Sequence, residues 1–171
     1  MDLQKAIKYI PKTQTVNQDR QYFIDGKNFI KIDSNVGRGQ REAHFLSSNI
    51  HPYIQKHICS YIRDDKHFLE TEYFEGETLE NLILSTEQKR LVEHQIFDLF
   101  SFMVSKQIIH GDINVSNIIF NGKKILLIDW ETWSQGDALE NLFGPPTPTN
   151  HCGILNTIRM VREKYEAYKN R

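Results

Sequence analysis

The sequence predicts an α+β fold in two parts, with a small antiparallel sheet and one helix first and a mainly helical part second. Three observations carry this. Short runs of alternating apolar residues separated by turn residues fill the first 74 positions. After Glu75-Gly76 the apolar spacing turns helical. A compact apolar hairpin centred on Asn121-Gly122 then interrupts the helical half. Strands first, helices and one hairpin second, with a glycine joint between them, imply two lobes and a cleft, residues 1–74 and 75–171, within one domain.

Taken in order, residues 13–16 and 21–25 read as strands separated by polar Asn17-Gln18-Asp19-Arg20. Asp25-Gly26 is a hairpin turn before a third strand, Asn28-Phe29-Ile30-Lys31-Ile32. Residues 38–49 switch to helical spacing with Ala43, Phe45 and Leu46 inward, and Gly37 and Gly39 mark the entry. Two more strands follow at 56–62 and 67–74, joined at Asp64-Asp65. In the second half Leu79, Leu82 and Ile83 form a short helical face. A long helix over 86–106 has Ser85 or Thr86 as N-cap and Leu91, Val92, Ile96, Leu99, Phe100 and Met103 inward. Ile118–Phe120 and Ile125–Ile128 pair across Asn121-Gly122, whose positive φ angles make the turn tight. Gly144-Pro145-Pro146-Thr147-Pro148 is a rigid loop, and Ile154, Leu155, Ile158, Val161 and Tyr165 line a last helix.

Bulk properties exclude several classes. With 39% hydrophobic and 25% charged residues, the 171-residue chain has the composition of a globular domain that can bury a core. A net charge of −1 and a pI near 6.7 leave no basic footprint for nucleic acid or an anionic membrane. Cys59 and Cys152 lie far apart with no metal-ligand spacing, and read as reduced structural residues. No apolar run approaches the ~20 residues of a membrane span, and Met1–Ala6 lacks the apolar core of a signal peptide, so the expected compartment is the cytoplasm.

The chemistry concentrates in Ile109-His110-Gly111-Asp112-Ile113-Asn114-Val115-Ser116-Asn117 and Leu126-Leu127-Ile128-Asp129-Trp130-Glu131. Asp112 sits in a loop held by apolar residues on both sides, where a carboxylate can orient or deprotonate an attacking hydroxyl. Asn117 and Asp129 add hard oxygen donors of the kind Mg²⁺ takes beside nucleotide phosphates. Singly each reads as a turn residue, since Asp and Asn dominate turns; together, with the hairpin between them, they read as a phosphoryl-transfer centre. Lys31, flanked by apolar strand residues and on the same face as Phe29, needs a partner or ligand for its ammonium. Glu131 is either a further acid near the metal or an exposed charge.

His110-Gly-Asp112-x4-Asn117 with Ile128-Asp129-Trp130-Glu131 resembles the catalytic loop and metal-binding motif of the protein-kinase-like superfamily. The His-Gly-Asp form is similar to that of RIO-type, lipopolysaccharide-core, aminoglycoside and choline kinases, and Asp-Trp-Glu followed by Gly136-Asp137-Ala138-x-x-Asn141-Leu142 leans toward the last two. The resemblance implies a two-lobed kinase-like fold with a truncated, mainly helical C-lobe, and ATP and Mg²⁺ as cofactors. It makes Asp112 the base, Asn117 and Asp129 the metal ligands, and His110 a structural support. It pairs Lys31, which reaches the phosphates, with Glu42. It makes residues 70–79 the hinge between lobes, with backbone groups of Glu72 and Phe74 on the adenine, Thr71 at the back of its pocket and Ile119 beneath it.

Four departures accompany the resemblance. Val16–Gln21 has no glycine-rich phosphate loop, leaving Arg20 as either a phosphate contact or a solvated turn residue. Asn141 stands where the family usually carries Asp, and Asn114 where serine/threonine kinases carry lysine two residues after the base. Only one helix follows the proline-rich loop, so residues 130–150 must make the acceptor site, with Trp130 and Trp133 either stacking on substrate or serving as core. The expected acceptor is a protein serine or threonine hydroxyl, followed by a small molecule such as an aminoglycoside, amino alcohol or sugar. A non-catalytic nucleotide-binding module is the reading from another class. The chain is expected to be a monomer or a subunit of a larger complex, with Thr147 and Thr149 as available phosphorylation sites.

Overall fold

A computed structural model describes residues 8–9, 19–143 and 153–169. The strand expected at 13–16, the proline-rich loop with Thr147 and Thr149, and Cys152 lie outside the described residues. Two compact units form. One comprises the described residues up to Ile50 together with Gln55–Phe74, and the other His51–Ile54 with the described residues from Glu75 onward.

The first unit is a five-stranded antiparallel sheet with one helix. Its strands are β1 (Lys8–Tyr9), β2 (Arg20–Asp25), β3 (Asn28–Asp33), β4 (His57–Arg63) and β5 (Lys66–Glu72), in the order β1-β2-β3-β5-β4, and α1 (Val36–Ser48) packs on β3, β4 and β5. Two tight hairpins fix the register. Asp25 pairs with Asn28 across Gly26-Lys27, with Gly26 at φ +60°, and Arg63 pairs with Lys66 across Asp64-Asp65, both at positive φ. Aspartate tolerates that left-handed conformation because its short polar side chain bonds locally. Helix α1 begins earlier than the glycines imply. Asn35 caps it, its Oδ1 accepting from Arg38 N at 3.0 Å, so Gly37 and Gly39 lie inside the first turn. Gly39 is needed for packing, since a Cβ there would stand 2.5 Å from His67 Nδ1.

The second unit holds β6 (Glu77–Thr78), α2 (Thr86–Lys106), β7 (Ile108–Ile109), β8 (Ile118–Phe120), β9 (Ile125–Leu127), β10 (Ser134–Gln135), α3 (Glu140–Phe143) and α4 (Ile154–Lys169). The helix expected around Leu79–Ile83 does not form. Glu77 and Thr78 instead pair with Phe120 and Ile119, and Leu79 N donates to Ile118 O at 2.8 Å. Leu79 is thereby buried, while Ile83 is left exposed. A non-local strand pairing has outcompeted a short apolar face too brief to nucleate a helix alone. The β8–β9 connection spans four residues. Only Gly122 has positive φ, and Asn121 Oδ1 instead accepts from the amides of Lys123 and Lys124. In α4, Ile154, Ile158 and Val161 face inward with Thr157, whereas Leu155 is exposed; the Tyr165 side chain lies outside the described residues.

Helix α2 buries Val92, Ile96, Leu99 and Met103, the i, i+4, i+7 stripe of an amphipathic helix. Its start is a capping box: Ser85 Oγ accepts from Gln88 N at 3.2 Å, and Gln88 Oε1 accepts from Ser85 N at 3.0 Å. Among the described residues no helix is long and apolar enough to cross a membrane. Replacing the cap by Ser85→Ala should lower unfolding free energy by about 1 kcal/mol in urea titrations, as N-cap losses do.

Candidate active site

In the first unit, β3 and α1 bring together two residues eleven apart in sequence. Lys31 Nζ donates to Glu42 Oε2 at 2.8 Å, and both side chains are almost fully buried, at 7% and 3% exposure. Alternation along β3 turns Lys31 to the helix-covered face, and Glu42 lies one turn beyond Gly39, where α1 presses on the sheet. Two charges removed from water persist only as a pair, so the geometry holds the ammonium in place.

Beside them lies a cluster that sequence reading missed. Arg38 clamps Asp33 through Nε to Oδ2 and Nη2 to Oδ1, both at 2.7 Å. Arg20, expected in a solvated turn or on phosphate, is instead mostly buried, with Nε 3.5 Å from Asp33 Oδ2. Burial pushes the Asp33 carboxyl up, but the Arg38 hydrogen bonds, the Asn35 amide and the two guanidinium charges outweigh it and hold the group below its ordinary value. Arg20 and Asp33 stand thirteen positions apart in the sequence, and only the pairing of β2 with β3 sets them opposite each other.

At the end of β5, Thr71 is buried, and Phe74 is half-buried. Glu72 N donates to Lys56 O at 2.9 Å and Tyr73 N to Lys27 O at 2.7 Å. The Glu72 amide is therefore already used, and any purine contact of that residue falls to its carbonyl. Ile119 sits half-buried in β8, between Thr78 and Leu126.

In the second unit, β7 delivers the chain to His110, which is fully buried. The adjoining Gly111 has φ +85°, and a Cβ on it would lie 3.1 Å from Thr132 O, so conformation and space both demand glycine. His110 Nε2 lies 3.0 Å from Ile128 O. A carbonyl only accepts, so the proton is on Nε2, leaving Nδ1 to accept from Asp112 N at 3.2 Å. Burial lowers the His110 pKa to about 4, against weaker opposing effects of the Ile128 carbonyl and of Asp112 and Asp129. The neutral ring packs edge-on to Trp130 at 4.4 Å. Trp130 is itself fully buried and donates Nε1–H to Leu127 O at 3.0 Å, so it is core and does not face a substrate. Trp133 is half-buried.

Asn141 completes the brace. Its Oδ1 accepts from His110 N at 2.9 Å while Nδ2 donates to Ile108 O at 2.7 Å and Ala138 O at 3.0 Å. A carboxylate could make only the first of these bonds, which accounts for the amide at this position.

Asp112 is half-buried, and its two oxygens each accept an amide: Asn114 Nδ2 reaches Oδ1 at 2.9 Å and Asn117 Nδ2 reaches Oδ2 at 3.0 Å. Asn117 Nδ2 also donates to Asp112 O at 2.9 Å, which leaves Asn117 Oδ1 without a hydrogen-bond donor among the described residues. Ile128 N donates to Asn117 O at 2.9 Å, setting Asp129 one residue from the Asn117 backbone, and Asp129 takes a left-handed conformation at φ +66°. A side-chain oxygen without a donor among the described residues suits a hard divalent cation.

Two measurements check this architecture. Glu42→Ala takes away the carboxylate that the buried Lys31 ammonium bonds and should cost about 3–5 kcal/mol in urea unfolding, and the double variant Lys31→Met/Glu42→Leu should recover most of it. For His110 the unfolded ring binds a proton below pH 6.5 and the folded ring only below about 4. Its stabilisation is therefore complete above pH 6.5 and declines by about 3 kcal/mol as pH falls through that window. His110→Leu, less stable throughout, should lose less stability than wild type between pH 7.5 and 4.

The model of the family described as "Protein kinase domain" matches residues 5–145. Among curated proteins, Spermatocyte protein spe-8 of Caenorhabditis elegans is 30% identical over 118 residues, covering 65% of this chain and 23% of that protein. Probable serine/threonine-protein kinase YbdM of Bacillus subtilis (strain 168) is 29% identical over 100 residues, covering 54% of this chain and 39% of its own. Serine/threonine-protein kinase nekl-2 of Caenorhabditis elegans is 29% identical over 122 residues, covering 59% and 34%. The chain thus spans between 23% and 39% of the length of these relatives. The family match takes in every described element from β1 to α3, and the chain belongs to the protein kinase domain family.

Proposed function

We propose that this chain is an ATP- and Mg²⁺-dependent phosphotransferase that moves the γ-phosphoryl group to a hydroxyl, with a protein serine or threonine as acceptor. The observation that carries the proposal is the Asp112 carboxylate held between two side-chain amides, with Asn117 Oδ1 left over. Asp112 orients the acceptor hydroxyl and takes its proton as the oxygen attacks the γ-phosphorus and the bond to the bridging oxygen of ADP breaks. Asn117 and Asp129 hold Mg²⁺, which neutralises charge developing on the phosphates. Lys31, fixed by Glu42, contacts the phosphates, and the Glu72 carbonyl and the Phe74 backbone meet the adenine. The names of two relatives, both serine/threonine-protein kinases, support the acceptor class.

Asp112→Asn keeps the size of the side chain but cannot take the proton. It should bind ATP and Mg²⁺ about as wild type does in a thermal-shift titration. Transfer of radiolabelled γ-phosphate to a degenerate serine/threonine peptide library should fall by about 10²- to 10⁴-fold. Unchanged turnover refutes the assignment of Asp112, and transfer only to amino alcohols or aminoglycosides replaces the protein acceptor with a small molecule.

A further inference from the structure

We infer that Asn114 is a positioning residue for the Asp112 carboxylate, an inference that rests on the reading of Asp112 as the base. Both ends of the Asn114 amide are engaged. Its Oδ1 accepts from Ser116 N at 2.9 Å, from Asn117 N at 3.1 Å and from the Ser116 hydroxyl. Its Nδ2 donates to Asp112 Oδ1 at 2.9 Å and lies 3.4 Å from Asp112 O. The two backbone amides set which end of the side chain is oxygen, so the nitrogen necessarily faces Asp112. With three donors on its oxygen and its nitrogen on Asp112, Asn114 acts on a substrate only through Asp112.

The pair of amides gives Asp112 a defined rotamer. Asn117 holds Oδ2, and a second donor on Oδ1 fixes the plane of the carboxylate. A reacting carboxylate gains from such fixing because its lone pair must meet the hydroxyl at hydrogen-bonding distance and in line. The residue type follows from the two demands: only a side chain with an acceptor for the 116–117 amides and a donor for Asp112, at this length, meets both.

Asn114→Asp separates positioning from simple turn formation. It keeps the acceptor for the Ser116 and Asn117 amides but sets an oxygen against Asp112 Oδ1. With ATP and the degenerate serine/threonine peptide library, kcat should fall at least about tenfold while KM for ATP stays within about twofold, the signature of a loss confined to the transition state. Asn114→Ala, which loses both bonds, should fall at least as far. Wild-type kcat in a folded Asn114→Asp protein overturns the inference. Should Asp112→Asn turn over like wild type, or wild type transfer nothing, the failure belongs to the reading of Asp112. The positioning contact is then decided by the ¹H–¹⁵N spectrum. The Asn114 side-chain amide signal, assigned by its disappearance in Asn114→Asp, should move in Asp112→Ala, and an unmoved signal overturns the contact.

Discussion

A buried, uncharged imidazole is the brace on which the second unit's chemistry depends. His110 reaches four places at once: its ring joins the Ile128 carbonyl and the Asp112 amide, its backbone N–H the Asn141 side chain, and its carbonyl the Thr132 hydroxyl. Two of those places flank the candidate base and the candidate metal ligand. Because the ring is neutral, no counter-ion has to follow it into the core, and a low-dielectric setting strengthens each of its hydrogen bonds. Trp130, packed edge-on against the ring, keeps water out. The residue beside it must be glycine, since the chain turns there through a left-handed conformation against Thr132.

The first unit handles polarity in the opposite way. It buries charges and matches them: Lys31 with Glu42, and Asp33 with Arg38 and Arg20. A buried pair contributes little net stability against an apolar replacement, yet it is severely destabilising when one partner is lost. An ammonium fixed on a strand by a helix carboxylate is suited to contact phosphate. In the second unit amides do the comparable work. Asn114, Asn117 and Asn141 each use both ends of the carboxamide or leave one end for a ligand, which no charged side chain of similar size can do.

Legibility in the sequence followed the range of the interactions. The hairpins at Gly26 and Asp64-Asp65, the cap at Ser85 and the stripes of α1 and α2 are local, set by turn chemistry and periodicity within a few residues. The failures were non-local. Leu79 and Leu82 look helical until Phe120 and Ile119, some forty residues on, pair with Glu77 and Thr78 and the Ile118 carbonyl takes the Leu79 amide. Arg20 looks solvated until Asp33 is folded opposite it, and Trp130, which the sequence leaves as either a stacking surface or core, becomes core once its indole N–H meets Leu127 O and its ring packs with His110.

By itself, then, the sequence determined most of the element types and the α+β class and singled out His110, Asp112, Asn117 and Asp129 as candidates, because spacing and residue chemistry are properties of neighbours along the chain. Tertiary structure alone decided that Asn141 serves better than a carboxylate, that the Glu72 amide is spent within its own sheet and that Asn114 faces Asp112. Each of these turns on the direction in which a donor or acceptor points once distant segments are packed. A linear sequence carries the identity of such groups but not their orientation.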